Sequence, residues 1–182
     1  MRRLWLGLLL CACSGSSDNE VEGSVAGISL TARDAIYFVH DGRQLFVVSD
    51  QDDLCRKLGR GSVSGSIHLL EMYLWNTSSS NLTDLVEGTY EVTNDPTASL
   101  ESQVYLGVGT CSPGTTALRF SADSGRVILL HSGLIEPGER SQVAFRIGFG
   151  NDVLTGHADA VYCPLPANGA LPCINEGTFP SP

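Results

Sequence analysis

His157 and Asp159 are the residues in this sequence whose types and spacing come nearest to catalytic chemistry. They lie two positions apart in "LTGHADA", so an extended strand would place both on one face, together with Thr155. A histidine held by a carboxylate beside a hydroxyl is the arrangement used for proton transfer and nucleophilic attack. The same spacing is also typical of the solvent-exposed face of a half-buried strand. We expect a solvent-facing polar trio here.

A second candidate is the acidic cluster Asp50, Asp52 and Asp53. Carboxylates suit calcium, but "DQDDLCRKLGRG" lacks the glycine and the distal glutamate of an EF-hand loop. These residues fit the start of a short helix instead, with Ser49 or Asp50 as its cap, Arg56 and Lys57 in its last turn and Gly59 at its end. The sequence therefore predicts a helix here and no metal or other cofactor.

Other catalytic patterns are missing from the sequence. His40 falls at a predicted turn, and His68 and His131 fall within or at the ends of predicted strands, none at helical ligand spacing. There is no G-x-S-x-G, H-E-x-x-H, P-loop or Rossmann glycine pattern. We therefore predict no catalytic residue, although catalytic groups can be distant in sequence.

Glu71 is unusual because it interrupts the otherwise apolar "SIHLLEMYLW". A buried carboxylate must find a partner or remain protonated. Glu71 could mark a pocket or face a basic side chain; we favour a basic partner such as an arginine.

The elements that position these residues are mostly strands. Two β-branched and apolar runs, 36–39 and 45–48, flank Asp41-Gly42, which favours a type I′ hairpin. A second hairpin is predicted across 150–152, and Ser66–Trp75 has apolar residues on both faces, as a central strand has. Strands recur at short spacing with glycine-rich turns between them. The predicted fold is mainly β: an antiparallel sandwich or barrel-like single domain with one short helix.

The first 13 residues, "MRRLWLGLLLCAC", combine Arg2 and Arg3 with an apolar run that is too short to cross a bilayer, which takes about 20 residues. The pattern "LCAC" resembles the lipobox of bacterial lipoprotein precursors. That resemblance implies cleavage after residue 12 and acylation of Cys13. Ser14, in place of aspartate, implies transport to the outer membrane. An ordinary cleaved export signal remains the alternative.

The predicted organisation is a signal peptide at 1–12, a polar tether at 13–20 and one β-rich domain at 21–182. The body is similar to uncharacterised β-rich lipoproteins of Gram-negative bacteria through "GTYEV" and "VLTGHADAVYC", a likeness that implies no activity. Without Arg2 and Arg3, 9 basic residues face 20 acidic ones, for a formal charge of −11. Such an excess disfavours nucleic acid as a partner.

With Cys13 acylated, four cysteines remain for disulfides, as an exported protein favours. Cys163 and Cys173 bound a proline-rich loop, and closing a short loop costs least entropy. We expect Cys163 to pair with Cys173 and, by subtraction, Cys55 with Cys111. Pairing of Cys55 with Cys163 is the rival.

Together these features predict a lipid-anchored envelope protein that acts as a non-catalytic binding or structural module. Its expected partners are the membrane, through the lipid, and a protein or glycan of unknown identity. A small hydrolase with scattered catalytic groups is the alternative, and an inhibitor or immunity-type lipoprotein is a third, less favoured reading.

Overall fold

The computed structural model describes residues 19–165, apart from 41, 82, 94–98 and 111–117. The proposed signal peptide, Cys13 and all but the last two tether residues lie outside this part. The described strands are β1 (Glu20–Gly23), β2 (Asp34–His40), β3 (Arg43–Ser49), β4 (Ser66–Asn76), β5 (Gly88–Val92), β6 (Leu100–Thr110), β7 (Leu118–Ser121), β8 (Ser124–His131), β9 (Arg140–Phe149) and β10 (Asp152–Tyr162). The described helix, α1, is Leu54–Gly59. In this part of the chain, no helix has the length and apolar character needed to cross a membrane.

Eight of these strands close into a barrel in the order β10-β2-β3-β4-β6-β5-β8-β9, with β9 pairing back to β10. The predicted barrel-like, mainly β fold is therefore confirmed. Two junctions are parallel, β10 with β2 and β5 with β6, and each extends over only two residue pairs. At these short junctions β1 joins the free edge of β10, and β7 joins that of β6. The barrel thus consists of two antiparallel four-stranded sheets that meet at two narrow parallel seams.

Both predicted hairpins are present. Strands β2 and β3 pair from Asp34 with Ser49 to His40 with Arg43, and Gly42 has the positive φ of 70° that such a turn requires. Strands β9 and β10 pair up to Phe149 with Asp152. We call the end of the barrel that holds the β2–β3 turn the hairpin end, and the opposite end, where β3 leads into α1, the helix end.

Packed side chains fill the barrel interior. Alternate residues of each strand point inward, as Leu70, Met72 and Leu74 do on β4. Several of the inward side chains are aromatic: Tyr37, Phe46, Tyr90, Phe145 and Phe149. Eight strands give an interior just wide enough for side chains to fill. The barrel is therefore a packed core, and the surfaces that remain for binding lie on its outside.

A second apolar cluster covers the outside of β2, β3 and β4. The outward residues of β4, including Leu69, Tyr73 and Trp75, pack with Leu54 of α1 and with Cys163. This explains why Ser66–Trp75 is apolar on both faces: β4 lies between two layers of core, as predicted for a central strand.

Helix α1 is shorter than predicted, and the predicted cap is wrong. It begins at Leu54, and Asp53 before it makes no side-chain capping bond. Asp50 does not cap it because its carboxylate binds His68. The Leu54 amide instead donates to the carboxylate of Asp34, at 2.7 Å. A partner 20 residues away thus replaces the local cap.

The disulfide pairing that the sequence favoured for Cys163 is also wrong. Cys163, just after β10, is bonded to Cys55 in α1, with 5.6 Å between the two Cα atoms. The barrel brings these residues together although they are 108 positions apart. Cys111 and Cys173, the other members of the expected pairs, lie outside the described residues. The Cys55–Cys163 bond fastens α1 to the outer face of the barrel.

Candidate functional site

Glu71 is a buried carboxylate on the outer side of β4. Its side chain is only 3% exposed, and its Oε2 lies 2.7 Å from Nη2 of Arg119 on β7. The sequence predicted a basic partner for Glu71, and the structure confirms one. A buried charge is tolerable only when paired in this way.

The ion pair spans the intervening strand β6 because β6 has a glycine at that point. Gly107 pairs with Leu69 of β4 on one side and with Arg119 of β7 on the other. A Cβ atom at Gly107 would lie 3.5 Å from Oε1 of Glu71. The missing side chain therefore leaves room for Glu71 to reach across β6 and hold β7 against the barrel.

Two tyrosines complete this buried polar cluster. The guanidinium carbon of Arg119 lies 3.7 Å from the ring centre of Tyr105, and Tyr105 meets the ring of Tyr73 edge-on. Burial raises the pKa of Glu71. The positive charge of Arg119 and a hydrogen bond with Tyr73 act in the opposite direction and lower that pKa. Burial, followed by the nearby Glu71, raises the pKa of Tyr73 far above its usual value. Shifted pKa values mark candidate functional sites, but here burial and the interactions among Glu71, Arg119 and Tyr73 account for both shifts.

A crevice of about 250 Å³ lies at the β5–β6 seam, next to this cluster. It exists because the edge of β6 changes partner: Ser102 pairs with β5, whereas Tyr105 pairs with β7. Its lining is mostly polar and includes Thr93, Ser102, Gln103, Ser121 and Asp123. The volume is below the range of about 300–1,000 Å³ typical of small-molecule pockets. The crevice could hold a few atoms of a polar ligand.

A larger hollow of about 440 Å³ lies on the outer face of β8 and β9. Arg126 and Arg146 lie directly opposite one another there, on neighbouring antiparallel strands, and both are exposed. Glu91 of β5 lies opposite Arg126 on its other side. The row continues from Arg146 through Thr155 of β10 to Glu22 of β1, so the two neighbouring arginines lie between two acidic residues at the ends of the row. Only the register of β8 and β9 makes the two arginines neighbours, so no sequence pattern indicated this pair.

The members of the polar trio on β10 have different neighbours. His157 is half-exposed, and its Nδ1 lies 3.8 Å from a carboxylate oxygen of Glu20. Asp159 has a different partner, since its carboxylate accepts a hydrogen bond from Nε of Arg140 at 2.8 Å. Thr155 lies opposite Arg146 in the register of β9 and β10.

His68 and Asp50 form a close histidine–carboxylate contact within the described residues. Nδ1 of His68 lies 2.9 Å from Oδ2 of Asp50, and the His68 amide donates to the other carboxylate oxygen at 3.0 Å. This contact was not predicted from the sequence, although an antiparallel pairing of Ser49 with Leu69 places Asp50 opposite His68. Such a pair is the base and its orienting acid in a triad.

The remaining predicted candidates have separate partners. Nδ1 of His131 lies 3.5 Å from Glu87, and the His40 ring packs near Phe38 and Tyr73. Of the three clustered aspartates, Asp52 pairs with Arg33 and Asp53 with Arg56. Within the described residues, no three His, Cys, Asp or Glu side chains are placed to hold a metal ion. Cys13, the predicted lipidation site, lies outside the described part of the chain.

Comparisons with known proteins assign no relative. No family model matches this chain, and neither a curated protein nor a solved structure matches it.

Proposed function

We propose that this protein is a lipid-anchored module of the bacterial cell envelope that binds an anionic group of an envelope component and has no catalytic activity of its own. Cys13 carries the lipid, and the outer membrane is its location. The partner is a glycan or protein that presents a phosphate or carboxylate to Arg126 and Arg146.

The facing arginines are the observation that carries the binding proposal. Like charges directly opposite one another on neighbouring strands destabilise a sheet by about 0.2–1 kcal/mol. An anion between Arg126 and Arg146 relieves that repulsion and gains charge-assisted hydrogen bonds from both guanidinium groups. The adjoining hollow, lined by Ser124, Gly125 and Gly148, offers space for the group that bears the anion.

Two further observations support an exported module that binds on its outside. The Cys55–Cys163 disulfide is of a kind that persists in oxidising compartments such as the periplasm. The packed barrel interior directs ligands to the outer surface.

The binding site can be tested by thermal unfolding at low ionic strength with increasing inorganic phosphate or glucuronate. We expect either anion to raise the Tm of the wild type, because a ligand that binds only the folded state stabilises it. Arg126→Gln and Arg146→Gln should lose this rise and, without ligand, be as stable as the wild type or up to about 1 kcal/mol more stable.

Arg33→Gln is the matched control, since it removes one exposed positive charge that pairs with Asp52 away from the hollow. It should keep the full response to phosphate. An equal loss of response in Arg33→Gln would mean that the anions act through net charge alone, and the binding proposal would fail.

Lipidation can be tested by labelling cells with an alkyne fatty acid. The wild type and Cys11→Ala should take up the label, whereas Cys13→Ala should not. Loss of label in Cys11→Ala alone would show that the acylated cysteine is misassigned, and an unlabelled wild type would support the ordinary export signal.

A small envelope hydrolase is the second candidate, and the contact between His68 and Asp50 favours it. If the purified protein hydrolysed an ester, amide or glycoside substrate and His68→Ala abolished that activity, the enzyme would replace the binding module. His131→Ala is the control, because His131 has a similar carboxylate neighbour in Glu87 but is more exposed.

A further inference from the structure

Exposed apolar side chains gather at the hairpin end of the barrel. Of the seven large apolar side chains that are exposed among the described residues, five lie at this end, two near the ends of β2 and β8 and three in the segments that precede β5 or link β8 to β9. We call these five the apolar rim: Val39, Val86, Leu130, Leu134 and Ile135. The other two, Leu118 and Val153, belong to β7 and β10 near the helix end. A gathering of this kind marks an interaction surface.

Contacts between loops hold the apolar rim together. The Tyr37 hydroxyl donates to the carbonyl of Leu134, which ties the β8–β9 loop to β2. His131, next to Leu130, lies 3.5 Å from Glu87, next to Val86. The rim is therefore one surface built from several loops.

The N-terminal tether joins the barrel beside this surface. The side chain of Asn19, the first described residue, accepts a hydrogen bond from the Asp159 amide, and the Asp159 carboxylate binds Arg140. Arg140 is the first residue after the loop that carries Leu134 and Ile135. Two polar contacts thus connect the root of the tether to the base of the rim.

The length of the tether and the direction of β1 both favour the hairpin end as the end nearer the membrane. Along β10, Asp159 is three residues from Tyr162 at the hairpin end, about 10 Å, and seven residues from Asp152 at the helix end, about 23 Å. Because β1 runs antiparallel to β10, the N-terminal end of β1, to which the tether is joined, is directed towards the hairpin end. Residues 13–18 can span at most about 20 Å. An anchor at Cys13 therefore reaches the bilayer readily with the hairpin end towards it.

We propose that the apolar rim rests on the lipid bilayer into which Cys13 is anchored, which fixes the barrel with its hairpin end on the membrane and its helix end facing away. This inference rests on the lipid anchor of the proposed function. The preferred surface is zwitterionic, because acidic residues such as Glu87, Glu136 and Glu139 border the rim and would be repelled by anionic lipids.

The test uses the full acylated protein in phosphatidylcholine nanodiscs, with and without phospholipids brominated on their acyl chains. Leu134→Trp places a fluorescent reporter in the rim, and Leu118→Trp is its control, since the two leucines are 61% and 63% exposed. Ile135→Trp and Val153→Trp form a second matched pair, both 39% exposed in the wild type. Trp75 is present in all four variants and provides a common background.

We expect brominated lipid to reduce the fluorescence of Leu134→Trp and Ile135→Trp more strongly than that of Leu118→Trp and Val153→Trp. Any quenching of the two control variants comes from Trp75, which lies near the hairpin end of β4 in all four proteins. Replacing part of the phosphatidylcholine with phosphatidylglycerol should weaken the quenching at the rim. Equal quenching within each pair, or none, would overturn the inference while leaving the anchor intact.

Two further outcomes are distinguishable. If intact-mass spectrometry shows no acyl groups on the wild type, the anchor itself fails, and this inference fails with it. If the emission of Leu134→Trp depends on protein concentration and not on brominated lipid, the rim is an interface between two copies of the chain, and the bilayer is excluded as its partner.

Discussion

Replacing Arg119 with methionine should leave Glu71 as an unpaired buried carboxylate. Methionine retains much of the apolar stem of arginine but removes the charge that lies 2.7 Å from Oε2 of Glu71. Breaking a buried ion pair in this way costs about 3–5 kcal/mol. We expect the lower end of that range, about 3 kcal/mol, because the Arg119 side chain is 21% exposed.

The expected loss is large enough to measure. In a domain of this size, 1 kcal/mol changes Tm by about 2–4 °C, so Arg119→Met should melt about 6–12 °C below the wild type. Urea unfolding, followed by circular dichroism, gives the change in free energy directly.

The loss should also depend on pH. Burial raises the pKa of Glu71 from its ordinary value of 4.5, and Arg119 opposes that rise. A carboxyl group whose folded pKa is raised contributes stability below its unfolded pKa, and this contribution is lost as the pH rises through the folded pKa. Without Arg119 the folded pKa rises further. The deficit of Arg119→Met relative to the wild type should therefore be smallest at about pH 4.5 and grow towards neutral pH.

The double variant Glu71→Met/Arg119→Met separates lost charge from lost packing. Replacing both members of a buried pair with apolar residues is often neutral or stabilising, so the double variant should be more stable than Arg119→Met and should lack the part of the pH dependence that comes from Glu71. If both variants were equally unstable and the deficit were the same at every pH, the loss would come from the contact between Arg119 and Tyr105, and the charge-based reasoning would be refuted.

Two other predictions concern how the barrel is held closed. Cys55→Ala should lower the free energy of unfolding by about 2–5 kcal/mol, because the disulfide closes a loop of more than 100 residues. Non-reducing peptide mapping of the wild type should recover Cys55 joined to Cys163, and a Cys163–Cys173 peptide would contradict this pairing. Gly133→Ala should lower Tm, since the added Cβ would lie 2.2 Å from the carbonyl oxygen of Arg140. Gly59→Ala is the control and should leave Tm unchanged, because its Cβ would meet nothing within 4 Å. Equal Tm values for the two variants would refute the clash.

Local sequence pattern was sufficient for the eight strands of the barrel, both hairpins and the mainly β class, but not for the four-residue strands β1 and β7. Alternation and turn residues act over a few positions, so "DAIYFVHDGRQLFVVSD" defines β2, β3 and the turn between them without reference to the rest of the chain. The need of Glu71 for a basic partner was equally local, because it follows from one carboxylate in an apolar strand.

The identities of the partners depended on long-range geometry. Arg119 reaches Glu71 only because β7 joins β6 at Gly107, and Arg126 meets Arg146 only through the register of β8 and β9. No local pattern encodes either meeting.

The disulfide and the helix show the same limit. Chain entropy favoured the short loop from Cys163 to Cys173, but barrel closure places Cys163 beside Cys55, so the folded core offsets the cost of closing the longer loop. Likewise Asp34 on β2 binds the first amide of α1, where local rules named Ser49 or Asp50. Packing selects among the partners that local chemistry permits, and that selection exists only once the barrel has closed.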